Sequence, residues 1–153
     1  MLKKVLKNER GLTLIELLAV IVILGIISAI AVPSIGGLID NSKKDAHVAN
    51  AQQMINAAKL AAATDEELIK TGDTSSVIYL KDLVDNGYLE PMEDPDSSSE
   101  SEKYNTDQSY VKVNKTNNKF SYSVKLVGSK REIQETLENE LSRDSVIDID
   151  IAE

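Results

Sequence analysis

The chain opens with a long apolar run, continues as an amphipathic stretch, and ends in short segments that alternate between apolar and polar residues. From Leu12 to Val32 only Thr13, Glu16 and Ser28 are polar. A helix of that length rises about 30 Å, one hydrocarbon core. Beyond Gly37, Val48, Ala51, Ile55, Ala58 and Ala62 recur at three- and four-residue spacing, with Met54, Ala57, Ala61 and Leu68 on an adjacent stripe. Lys43, Lys44, Asn50 and Lys59 fall on the opposite side, so the pattern predicts a helix lying against a sheet with solvent behind it. Turn residues from Thr71 to Ser76 end that helix, and Val77 to Asn86 forms a short segment closed by Gly87. Leu80, Leu83, Val84, Tyr88 and Leu89 are core candidates.

The second half of the chain predicts a hairpin. Val111 and Val113 alternate with polar neighbours, as do Phe120, Tyr122, Val124 and Leu126, and Thr116-Asn117-Asn118 supplies the turn. Ser129 followed by Glu132 reads as a capping box that opens a short helix, with Ile133, Leu137 and Leu141 on its apolar stripe. Val146 to Ile151 reads as a final half-buried strand whose aspartates face solvent. The fold class that follows is α+β: a long N-terminal helix, membrane-spanning in its first half and amphipathic in its second, packed on a small antiparallel sheet.

Charge refines this picture. Lys3, Lys4, Lys7 and Arg10 precede the apolar run, whereas Asp40, Lys43, Lys44 and Asp45 beyond it nearly cancel, which places the N-terminus in the cytoplasm and the rest outside. The basic start, the apolar run and the small residues of SAIA also describe a secretory signal peptide. The length of the run, Glu16 within it and Pro33 just beyond it count against that reading. The formal net charge is −8, of which the first eleven residues contribute +3. Such a surface repels phosphate backbones and disfavours broad nucleic-acid binding. With no Cys, disulfides and thiolate metal sites are excluded.

Candidate chemistry outside the N-terminus is sparse. His47 is the single histidine and has no Cys or His partner nearby in sequence, so it reads as solvated. Glu90 to Glu102 has six acidic residues and no basic one, interleaved with Pro91, Pro95 and Ser97 to Ser99, and reads as a solvated loop. No nucleophile, partner histidine or phosphate-binding glycine loop accompanies the C-terminal aspartates, so neither an enzyme nor a bound cofactor is expected.

Gly11-Leu12-Thr13-Leu14-Ile15-Glu16, behind a short basic leader and at the head of the apolar helix, resembles the class III signal of type IV prepilins and pseudopilins. The resemblance implies a cleaved leader, 1–11, a hydrophobic transmembrane and assembly helix, 12–33, an amphipathic helix, 34–70, and a globular head, 71–153. It also implies cleavage between Gly11 and Leu12 by a membrane prepilin peptidase, N-methylation of Leu12, and use of Glu16 to neutralise the Leu12 amine of the adjoining subunit during assembly. Residues i and i+4 share a helix face, so the spacing also lets Glu16 approach the amine of its own chain.

Pro33 is expected to kink the helix, and Gly36-Gly37 to bend or locally disorder it. LKDLVDNGYLEP, Leu80 to Pro91, resembles pilin heads. Some pseudopilins bind calcium near a head Asp-Pro, which makes Asp94 and Asp96 the calcium candidates. The Trp-Gly of that pattern and EF-hand spacing are both absent, and the expectation is no metal.

The functions implied are a subunit of a type IV pilus or pilus-like filament, a pseudopilin of secretion or DNA uptake, or a non-polymerising anchored binding domain. Implied partners are further pilins as homo- or hetero-oligomer, the peptidase and methyltransferase, an assembly ATPase with its inner-membrane platform protein, and the membrane. The chain would be a single-pass membrane protein before assembly and part of an extracellular or envelope-spanning filament afterwards.

Overall fold

A computed structural model describes residues 13–64, 75–98, 103–116 and 119–149. The chain divides into two compact units, Met1–Ile39 and Asp40–Glu153. Helix α1, Leu14–Thr64, contributes to both.

In the first unit α1 is apolar on every side, and its large side chains, from Leu14 to Ile39, are all exposed. Such a helix has no amphipathic face to bury against one partner, and its surroundings must themselves be apolar. It is long and apolar enough to cross a membrane. Thr13 begins it: the first helical bond runs from the Leu17 N–H to the Thr13 carbonyl at 3.0 Å. Pro33, Gly36 and Gly37 all lie among helical residues. Pro33 has no N–H for the carbonyl four residues back, so the ladder lacks one bond there.

In the second unit α1 buries Ala51, Met54, Ile55, Ala57, Ala58 and Ala61, the expected stripe. Its alanines let the backbone lie close to a five-stranded antiparallel sheet of strand order β1-β2-β3-β4-β5. The strands are β1 Ser75–Tyr79, β2 Tyr110–Thr116, β3 Lys119–Val127, β4 Arg131–Leu137 and β5 Val146–Asp148. Ile78, Val111, Val113, Val124, Leu126, Ile133 and Val146 supply the sheet's share of the core. Helix α2, Leu80–Asp85, follows β1 directly and adds Leu80 and Leu83, with Val84, Tyr88 and Leu89 half-buried against them. Gly87, at φ 74°, takes the left-handed turn that ends it.

Three expectations for the head's strands and loops are corrected. Residues 131–137 form a strand, not a helix: Ile133 pairs with Leu126 on one side and Val146 on the other. As a helix, this segment would leave the β3 edge unpaired and β5 without a neighbour, and ladder bonding to both outweighs the local capping signal. The box does not form, since the Ser129 N–H is given to Asp94 instead. Phe120 is exposed, whereas Val124 and Leu126 of the same strand are buried. It lies near the turn end of the hairpin, where Lys115 rides over its ring at 5.5 Å. The acidic loop is not solvated throughout, because Met92, Asp94 and Asp96 are buried. Asp148 is solvent-facing as expected. Leu68, Thr71 to Thr74, Ser99 to Glu102, Asn117-Asn118 and Ile151 lie outside the described residues.

Candidate functional site

The first candidate site is the start of α1. Gly11 and Leu12 lie outside the described residues. Glu16 occupies the third helical position, and its Oε2 accepts from the Thr13 N–H at 2.7 Å and the Thr13 hydroxyl at 2.8 Å. The Glu16 N–H returns a bond to Thr13 Oγ1 at 3.3 Å. This reciprocal pairing is a capping box, legible in the sequence as Thr-x-x-Glu but not anticipated there. It gives Glu16 a position as well as a charge: the carboxylate is folded back onto Thr13.

The second candidate site lies in the head and was not foreseen. His47, read as solvated, is 1% exposed. It sits one turn before Ala51 on the stripe that meets the sheet, and extending that stripe backward by four residues would have found it. Asp94 reaches the β3–β4 turn, where Oδ2 accepts from the Ser129 N–H at 2.5 Å, while Oδ1 accepts from the Asp96 N–H at 2.9 Å. Asp96 Oδ2 lies 3.0 Å from His47 Nε2. Its Oδ1 faces Lys43 and Arg131, each at 3.4 Å. Arg131 also binds Asp40, and Asp148 at 3.0 Å.

Gly128 makes room for this arrangement. A Cβ there would lie 2.8 Å from both Asp94 Oδ2 and the Arg131 carbonyl oxygen. On the far side of the imidazole, the Tyr104 hydroxyl is 2.8 Å from Nδ1, with the two rings edge to face.

His47, Asp94 and Asp96 each bring a ligand-type atom within 4.8 Å of the others. The four carboxylate oxygens and His47 Nε2 each have a protein partner and two protein cations face Asp96, whereas Ser129 Oγ, on the residue whose N–H binds Asp94, is buried without a hydrogen-bond partner among the described residues. Burial alone would raise the Asp96 carboxyl, but its bonds to His47 and Lys43 and the charge of Arg131 outweigh that and hold it below the usual range. Burial pushes the Tyr104 phenol well above its ordinary value, reinforced by the charges of Asp94 and Asp96, so it keeps its hydrogen.

The architecture is α+β, a long N-terminal helix with an exposed apolar first unit and a small five-stranded antiparallel sheet in the second. Residues 6–32 match the family model of the prokaryotic N-terminal methylation motif, the class III signal of type IV pilins. The chain therefore carries the processing signal of type IV pilin-like and pseudopilin precursors. Proteins with that signal are structural rather than catalytic, are processed by prepilin peptidase and assemble with pilus machinery. No curated protein and no solved structure matches the chain.

Proposed function

We propose that the chain is the precursor of a structural subunit of a type IV pilus or pilus-like filament, cleaved after Gly11, methylated on Leu12 and polymerised through residues 12–33. The observation that carries this reading is the conjunction of the methylation motif with a helix exposed on all sides from Leu14 to Ile39. Lipid satisfies that surface before assembly, and neighbouring copies of the same helix satisfy it afterwards. Cleavage creates an ammonium on Leu12, next to the Thr13 N–H that Glu16 already engages. In the apolar bundle Glu16 neutralises that ammonium on the adjoining subunit, and the attraction selects register more than it adds net stability. Pro33 supports a kink where the helix leaves the membrane.

Glu16→Gln tests the reading, with sheared surface material examined by electron microscopy and the membrane fraction by intact mass. The expected result is a processed, membrane-held chain and no filaments. Normal filaments from the variant would remove charge pairing. A wild-type chain found only as a membrane monomer would remove the filament and favour an anchored binding domain. The methylation motif is equally that of a pseudopilin of secretion or DNA uptake, and the abundance of the chain in sheared filaments separates that reading from a pilus subunit.

A further inference from the structure

We propose that Asn86 is a latent deamidation site, which the C-terminal cap of α2 keeps closed and which converts to aspartate or isoaspartate only while that cap is open.

Asn86-Gly87 is the single Asn-Gly pair of the chain. Glycine has no side chain to shield its own nitrogen, so an asparagine before it is open to attack by the backbone. In that reaction the Gly87 nitrogen gives its proton to solvent base and bonds to Asn86 Cγ, and the Cγ–Nδ2 bond breaks to release ammonia. Water then opens the cyclic imide at either carbonyl, which returns an aspartate or an isoaspartate whose main chain runs through Cγ. Water and base are the only co-reactants, and nothing is oxidised or reduced. Asn86 is exposed, and a Cβ at Gly87 would meet nothing within 4 Å, so solvent reaches the pair. Geometry, not access, holds it back.

Ring closure needs the Gly87 nitrogen beside Asn86 Cγ, but a ψ of 1° at Asn86 keeps that nitrogen eclipsed with the Asn86 nitrogen and away from Cβ. The Gly87 N–H is given to the Val84 carbonyl at 3.0 Å. The leaving group, Asn86 Nδ2, donates to the Asp82 carbonyl at 2.8 Å, a contact that also fixes which end of the amide is nitrogen, since a carbonyl only accepts. Rotating the Asn86 Cα–C bond into the reactive arrangement breaks the Gly87 bond and swings away Tyr88 and Leu89. Their N–H groups both reach the Leu83 carbonyl, at 2.9 and 3.1 Å. Leu83 is wholly buried, and the Tyr88 hydroxyl lies 3.1 Å from Thr64 Oγ1 of α1. The reaction therefore waits for a local opening of the last turn of α2.

One opening leaves a lasting mark. The product sets a carboxylate where the Nδ2 donor faced the Asp82 carbonyl, and its charge stands at a helix C-terminus, where the helix dipole disfavours it. Isoaspartate also inserts a methylene into the main chain just before the left-handed turn at Gly87. A cap that has reacted closes less well, so modification accumulates in one direction.

The ¹⁵N-labelled full chain in detergent micelles, held in warm, mildly alkaline buffer, is compared with the same chain whose head is unfolded in guanidinium chloride. Peptide mapping with electron-transfer fragmentation distinguishes isoaspartate from aspartate at each asparagine. In the unfolded head Asn86 should react fastest, and in the folded head at least about tenfold more slowly. Guanidinium below the unfolding transition should raise the folded rate and the hydrogen exchange of the Gly87 N–H together, because both need the same bond opened. Asn86→Asp should raise Gly87 exchange several-fold and leave that of Val124, deep in the sheet, unchanged. The proposal is overturned by an Asn86 that reacts equally fast folded and unfolded, or by a folded rate that ignores Gly87 exchange. A Gly87 N–H as unprotected in the folded chain as in the unfolded one would overturn it too, and so would an Asn86→Asp chain with wild-type protection.

Discussion

Replacing Gly128 by alanine tests how the head is closed. The new Cβ would stand 2.8 Å from the Arg131 carbonyl oxygen and 2.8 Å from Asp94 Oδ2, closer than carbon and oxygen tolerate. Neither neighbour yields freely. The carbonyl accepts the Gly128 N–H at 2.9 Å and so closes the β3–β4 turn, and the carboxylate is clasped by Ser129 and Asp96. Overpacking of this kind costs about 1–3 kcal/mol. If Asp94 instead moves away, the bond from Ser129 to a charged acceptor is lost, at about 1.5–3 kcal/mol. Partial relaxation makes the two alternatives rather than a sum, so the expected loss is about 2–3 kcal/mol. For a domain of this size that lowers Tm on the order of 10 °C.

Thermal unfolding of the full chain in micelles, followed by circular dichroism, is the assay. Gly87→Ala is the comparison: a Cβ there meets nothing within 4 Å, and only its φ of 74° opposes it, at a cost of about 1–2 kcal/mol. A Gly128→Ala midpoint within about 2 °C of wild type, or above that of Gly87→Ala, would refute the contact argument.

Acid should weaken the head through Asp96. Its folded pKa is lowered, so its stabilising contribution is complete above the unfolded value of about 3.9 and is lost as pH falls through the folded one. Denaturant titrations of Asp96→Asn should accordingly show less loss of stability below about pH 4 than wild type shows, and an identical decline would contradict this assignment. Ile133→Ala should cost about 2–5 kcal/mol as a buried strand residue between two neighbours. Phe120→Ala should cost under about 0.5 kcal/mol because the ring is exposed, and equal losses for the two would mean that the sheet's buried face is misassigned.

Much of this fold was legible locally. The β2–β3 hairpin announced itself by alternation, and the registers Val111 with Val124 and Val113 with Tyr122 place the expected residues side by side. The buried stripe of α1 followed from helical spacing. What failed had a common physical origin. Ile133, Leu137 and Leu141 do satisfy a helical period, but Leu137 is partly exposed in the strand that forms and only Ile133 is fully buried. The deciding interaction was hydrogen bonding to β3 and β5, which periodicity within the segment cannot report.

His47, Asp94 and Asp96 failed in the same way. Asp94 meets Ser129 from 35 positions away, and His47 meets Asp96 and Tyr104 across 49 and 57. Each looks hydrophilic alone, and each is buried because distant donors and acceptors complete it.

The sequence alone determined the character of the N-terminal segment, since the basic residues, the methylation motif and apolarity over a bilayer's length all lie in consecutive residues. Tertiary structure decided the head's fourth strand, its Gly128 contact and its buried polar cluster. Those depend on which remote groups share a site, and free energies of pairing across the fold override local preference there.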